Sequence, residues 1–250
     1  MERSYRALGG VLLALALTAG AAGVSGAVAG APGVLPNPNA DNSAPVIPAG
    51  VGVARVHVWL ARALSARLNA LTAETLAVAA AHDLTVQDRA ALDTIIRADQ
   101  AGLAGLSTAL ASETTIAQLQ ASADAMVLDY RVFSLLTPQV RGVVLTDRAL
   151  AKVATLTALE PSIQTAITTE QRTGRGAAAQ QIYERLVGQL SAVETSLEGS
   201  SAALLALTPQ DDSSAPQAFA TAEAAIGAAS SQLVTARTEV RRIVELLGGA

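Results

Sequence analysis

The stretch from Thr114 to Leu136 places apolar residues at alternating steps of three and four. The positions are Ile116, Leu119, Ala123, Met126, Tyr130 and Phe133. This heptad spacing puts the six side chains on one face of a helix, where they can pack lengthwise against other helices. We therefore predict a single helix over Thr114–Leu136 at the centre of the fold, with the remaining helices packed around it.

Similar apolar seams recur along the rest of the chain. Alanine and leucine, two strong helix formers, supply most of the hydrophobic residues, and aromatic residues make up only 2%. Short turns between the seams force neighbouring helices to run antiparallel. The predicted fold class is all-α, an elongated antiparallel helical bundle of five or six long, coiled-coil-like helices. Besides the central helix, they are predicted over Val51–Ala81, Val86–Ser112, Gln139–Arg172 with a kink at Pro161, Ala177–Leu207, and Pro216–Leu247.

Local signals refine several helix ends. Thr85 is followed three residues later by Asp88, which resembles a capping box at the start of the second helix. Pro138 disfavours the α conformation at Thr137, so we predict a break or a strong kink there. Either a new helix begins with Pro138 in its first turn, or one long helix bends. Turn residues at 173–176 mark a possible subdivision of the bundle.

The first 29 residues have the features of a secretory signal peptide. Arg3 and Arg6 precede an apolar run, and small residues at Ala27 and Ala29 fit a cleavage site after either alanine. The rival interpretation is an uncleaved membrane anchor, but the strongly apolar run is shorter than the roughly 20 residues that a spanning helix needs. The sequence therefore predicts a secreted, extracytoplasmic protein.

Five prolines lie within residues 30–50, where they exclude a helix. With asparagine and serine between them, this segment is predicted to be a disordered tether. The helical bundle then extends over residues 51–247, and residues 248–250 form a short tail.

Composition excludes several classes of site. Cysteine is absent, so disulfides, thiolate metal sites and cysteine nucleophiles are excluded. His57 and His82 lie at opposite ends of the first helix, roughly 37 Å apart, too far to share a metal ion. We expect His82 to cap that helix and His57 to lie at its rim. The net charge of −4 offers no basic patch for nucleic acid, and no nucleotide-binding fingerprint is present. No cofactor, no metal and no catalytic residue is predicted.

Three features inside the predicted helices concern how their side chains pack. Asp99 occupies a position in the second helix where a hydrophobic residue is expected, and a carboxylate there is costly unless it is paired. It either forms a buried pair with Arg131, fixing helix register, or turns to a wet edge. Gly102 and Gly105 predict close packing, and Arg67 is expected largely off the apolar seam of the first helix.

The segment Asp129–Phe133, DYRVF, is followed by Pro138 and then by the pair Asp147-Arg148. It resembles a DYRVF or DYRVY segment in functionally uncharacterised secreted helical proteins of high-GC Gram-positive bacteria. The resemblance covers roughly Leu84–Arg148. It implies a helical fold and an extracytoplasmic location, and it implies no activity.

Two interpretations of this segment follow. Tyr130 and Phe133 can anchor the core while Asp129 and Arg131 form pairs on the helix surface. Alternatively, these four residues and Asp99 mark an interaction or register site. We expect a non-enzymatic protein that acts by interaction or scaffolding at the cell envelope, with another envelope protein or a second copy as partner. The alternative is a binding module that holds an apolar ligand between helices, near Tyr130. Membrane contact is expected only through an uncleaved signal segment.

Overall fold

The computed structural model describes Leu35, Asn37 and residues 45–171, 176–211 and 213–248. All regular structure in these residues is helical, which confirms the predicted all-α bundle. The predicted signal peptide and the last two residues lie outside the described residues. The helices are α1 (Val53–Ala80), α2 (Val86–Leu110), α3 (Ile116–Leu128), α4 (Thr137–Thr157), α5 (Glu160–Glu170), α6 (Gly176–Leu197), α7 (Ser200–Leu205) and α8 (Ala215–Gly248).

The described chain is divided into two compact units. The larger unit contains Leu35, Asn37 and the described parts of 45–152 and 194–230, and the smaller unit contains those of 153–193 and 231–248. The boundaries fall within α4, α6 and α8. In the smaller unit, Arg185 of α6 pairs with Glu239 of α8 at 3.4 Å, above buried aliphatic side chains.

An antiparallel hairpin of α1 and α2 forms the centre of the larger unit. The imidazole Nε2 of His57, near the start of α1, lies 2.7 Å from the carbonyl oxygen of Leu110 at the end of α2. Leu60 and Leu64 of α1 and Leu92 of α2 are fully buried in the apolar core. No helix among the described residues is both long and apolar enough to cross a membrane.

The predicted central helix over 114–136 is wrong in its second half. Its helical part, α3, begins after a capping box at Thr115 and ends at Leu128, and a five-residue π turn at Val132–Leu136 follows. Between them, Arg131 has φ 27° and ψ 46°, which no α-helix contains. The heptad spacing identified which side chains reach the core. It could not show whether the backbone between them is continuous helix.

The conformation expected at Thr137 is also wrong. Thr137 is α-helical, with φ −59° and ψ −49°, and begins α4 with Pro138 in the second position. Proline is accepted in the first turn of a helix because the N–H groups there have no intrahelical partner. A new helix does begin here, but the break lies upstream of it, at Asp129–Arg131.

The single helix predicted over Ala177–Leu207 is interrupted. Helix α6 ends at Leu197, Gly199 adopts φ +72°, and the short helix α7 follows. Glycine takes this left-handed conformation without a steric penalty, so the helix is interrupted there at little cost.

Candidate functional site

The DYRVF segment lies in the larger unit, between α3 and α4. Tyr130 and Phe133 are half-buried, Arg131 and Val132 are buried, and Asp129 is exposed. The segment packs against α1 and α2, so the structure brings together most of the residues that the sequence singled out.

Tyr130 lies directly over the backbone of Gly102 in α2. A Cβ atom at position 102 would overlap the hydroxyl oxygen and two ring atoms of Tyr130. The close packing predicted for Gly102 is therefore present, and its cause is an aromatic ring. Gly105 has open space around it, so the same expectation is wrong there.

Asp99 lies one turn before Gly102 and is half-buried. Burial raises the pKa of its carboxyl to about 7, and no cation offsets that rise. An adjacent guanidinium would lower this pKa, so the side chain does not behave as the buried partner of Arg131. Burial, followed by the Asp129 and Asp99 carboxylates, raises the pKa of Tyr130. The Asp99 carboxylate of α2 is therefore close enough to the Tyr130 hydroxyl for its charge to oppose ionisation of that hydroxyl.

Arg131 is the one non-glycine residue with positive φ in the described part of the chain. Its carbonyl oxygen accepts hydrogen bonds from the amides of Leu135 (2.9 Å) and Leu136 (3.3 Å), which starts the π turn. A strained residue followed by a π turn is a combination found often at functional sites. Here it turns the chain so that the Arg131 side chain is buried.

A second buried arginine, Arg67 of α1, was not anticipated. It is fully buried, with its guanidinium carbon 5.2 Å from the centre of the Phe133 ring, in cation–π geometry. The expectation that Arg67 lies off the apolar seam is wrong. Sequence reasoning assigns arginine to the surface, and only the aromatic partner 66 positions later in the chain could have suggested otherwise.

Asp147 joins three helices through its carboxyl group, an arrangement that we call the Asp147 junction. The sequence contains no signal for it beyond the pair Asp147-Arg148. The Asp147 carboxyl accepts hydrogen bonds from the Thr85 amide (2.8 Å) and the Ser201 hydroxyl (3.1 Å). Burial raises the pKa of Asp147, and the nearby Asp88 carboxyl raises it further. Thr85 caps α2 as predicted, because its hydroxyl accepts a hydrogen bond from the Asp88 amide at 3.0 Å. In a capping box the Asp88 side chain would accept from the Thr85 amide in return, but here the Asp147 carboxyl does so.

The end of the predicted tether is not a tether. Residues 45–48, which we call the strap, have no regular secondary structure and contact α3. Pro45 is buried, and Ile47 packs against the core. The side-chain amide of Gln120 donates to the Pro45 carbonyl (2.6 Å) and accepts from the Ile47 amide (3.1 Å). Prolines excluded a helix here, as predicted, but a non-helical segment can still pack when a side chain bonds its backbone.

Groups of side chains suited to metal binding are not found in the described ranges. His57 bonds the end of α2, and Arg89 instead of His82 bonds the last carbonyls of α1, at Val78 and Ala81. A depression of about 480 Å³ lies on the exposed side of α1. All of its lining residues belong to α1: His57, Val58, Ala61, Arg62, Ser65, Ala66 and Asn69. It is therefore not the apolar cavity between helices, near Tyr130, that a ligand-binding module needs.

Comparison with protein-family models, with curated proteins and with solved structures finds no match to this chain.

Proposed function

We propose that this chain is a secreted, non-enzymatic helical-bundle protein that acts by interaction or scaffolding at the cell envelope. The strap carries the interaction part of this proposal. The α3 surface around Gln120 already binds one non-helical segment of this chain, through two hydrogen bonds to its backbone and the packing of Ile47. The location rests on the export signal predicted in the first 29 residues.

The conspicuous side chains of the DYRVF segment support a structural role. Tyr130 fills the space over Gly102, and Phe133 stacks with the buried Arg67. Both rings hold the bend between α3 and α4 in place, which favours core anchoring over a surface site. The resemblance to secreted helical proteins carrying the same segment agrees with this proposal.

Native mass spectrometry of the protein exported and purified from its own host tests the location. We expect a mass that lacks residues 1–29 or 1–27. Replacing both Ala27 and Ala29 by arginine removes the small residues that a signal peptidase requires, so it should leave the full-length chain attached to membranes. A full-length, cell-retained wild-type chain contradicts the proposal.

Chemical crosslinking in intact cells tests the interaction. We expect discrete crosslinked species whose masses reveal either a multiple of this chain or a second envelope protein. A chain that stays uncrosslinked at every crosslinker length contradicts a scaffolding role. The apolar-ligand alternative stays a prediction, and it requires a small molecule that co-purifies and is released on unfolding.

A further inference from the structure

The strap is held by two hydrogen bonds between its backbone and Gln120, together with the packing of Ile47 against the core. Ile47 supplies an N–H donor and Pro45 a carbonyl acceptor, so the orientation of the Gln120 amide is fixed by its two partners. The same amide nitrogen also donates to the Asp124 carboxylate at 2.7 Å, which holds the Gln120 side chain in place on α3. Part of what positions the Gln120 side chain is therefore supplied by α3 itself.

The strap is joined to α1 by a turn centred on Gly50. Gly50 adopts φ +81° and the Val51 amide bonds the Pro48 carbonyl at 3.4 Å, closing the turn. A Cβ atom added at Gly50 or at Gly52 would meet nothing within 4 Å. Gly50 is therefore an open hinge position with no neighbour that restrains it, and Val46, 79% exposed, offers no further anchor.

We propose that the α3 surface around Gln120 binds the strap of a second copy of this chain, giving a strap-exchanged homodimer. The contacts that such a strap would make are those seen within one chain. Residues 45–48 form hydrogen bonds with the Gln120 side chain, and Ile47 packs against the core. A second copy supplies an identical segment, so reciprocal exchange keeps the Gln120 hydrogen bonds and the packing of Ile47. The two forms differ in the conformation at Gly50, in the hydrogen bond between Val51 and Pro48, and in the freedom lost on association.

A substitution at Gly50 tests the exchange directly. Gly50→Val disfavours φ +81° because a β-branched side chain clashes in the left-handed region, so the strap is pushed away from its own α3. Light scattering after size-exclusion chromatography should show a dimer at concentrations where the wild-type chain is mainly monomeric. The matched control is Gly52→Val, since Gly52 has φ −69°, which valine adopts freely.

A substitution at Gln120 tests whether the dimer is held together by exchanged straps. In the Gly50→Val background the strap cannot return to its own α3, so Gln120→Ala should raise the dimer dissociation constant by at least about fivefold through the lost hydrogen bonds. Gln217→Ala, an exposed glutamine of α8, should leave it unchanged. Deleting Ala49 and Gly50 offers a second way to prevent closure if the valine variant folds poorly.

A monomer in both hinge variants, or a dimer that survives Gln120→Ala, overturns the proposal. This inference rests on the proposed interaction role and names its partner. The two proposals can fail independently. A monomeric hinge variant would contradict strap exchange, but it would not change the expected mass after signal-peptide cleavage or a crosslink to another envelope protein.

Discussion

We expect the ionisation of Asp99 to have the clearest effect on how folding stability depends on pH. Its pKa is about 7 in the fold, raised by burial from 3.8. The unfolded chain therefore releases this proton first as pH rises, and folding stability falls between about pH 4 and pH 7 and is level above. Asp99→Asn should remove the fall, and after discounting for solvent screening should stabilise the protein by roughly 1–2 kcal/mol at pH 8.

Thermal unfolding of both chains at several pH values measures this effect, and the two curves should converge near pH 4. The exposed Glu198 offers a control, since Glu198→Gln is expected to leave the pH dependence as it is. An Asp99→Asn variant that stays parallel to wild type over the whole range would show that burial does not hold this carboxyl protonated.

Gly102 and Gly105 provide a matched pair in α2. Gly102→Ala forces the Tyr130 ring out of its place, at an expected cost of about 1–3 kcal/mol in unfolding free energy. Gly105→Ala meets open space and should stabilise the helix by up to about 1 kcal/mol. Denaturant unfolding measures both, and effects of equal sign would contradict the packing of Tyr130 on Gly102.

At the residue scale, the sequence indicated the unusual positions but not their partners. Asp99 and the glycines stood out because they break an apolar seam. Arg67 did not, because its partner Phe133 lies in a different helical segment and heptad counting contains no information about contacts across the fold. The role of Gln120 was hidden for the same reason.

Among the helical elements, the Asp147 junction ties the start of α2 to α4 and α7 through Thr85 and Ser201. Burial and the Asp88 carboxyl raise the pKa of Asp147, whereas the bonds from Thr85 and Ser201 lower it. Because the net shift is upward, the stability that Asp147 contributes falls as pH rises through that pKa. Asp88→Asn removes the neighbouring carboxylate, so it should stabilise the protein by about 1 kcal/mol at pH 8 and by less at pH 4.

Hydrogen exchange of α7 reports on this junction locally. In the wild type, amides of Ser200–Leu205 are expected to lose protection as pH rises, after correction for the intrinsic exchange rate. Asp88→Asn should reduce that loss, whereas Ser201→Ala should lower protection at every pH. Unchanged protection in both variants would show that Asp147 does not hold α7.

At the scale of elements, helix type and approximate extent could be predicted, but helix continuity could not. Apolar periodicity survives a π turn or a single left-handed glycine, because a few residues of altered backbone shift the pattern only slightly. Arg131 and Gly199 therefore divide helices that look continuous by spacing alone.

In the molecule as a whole, segments distant in sequence complete the larger unit together. Gln139 of α4 donates to the Leu204 carbonyl at 2.7 Å, and the Leu204 side chain lies against Gly142. A chain cut between residues 173 and 174 separates these partners. We expect each fragment alone to be only partly helical, and an equimolar mixture to recover the circular dichroism of the intact protein.

Gln139→Ala tests the specificity of that association. Losing hydrogen bonds to the Leu204 and Leu207 carbonyls should weaken fragment binding by about 1 kcal/mol, roughly fivefold. The surface substitution Gln217→Ala should not. A carboxyl-terminal fragment that is fully helical by itself would show that the segment 194–230 does not need α4.

The contact between Gln120 and the strap also sets an order of events in time. Its two hydrogen bonds join residues 73 and 75 positions apart, with the strap emerging first during synthesis or export. Closing so long a loop must wait until α3 exists. The strap is therefore made well before its binding site and is one of the parts of the described chain that settle late.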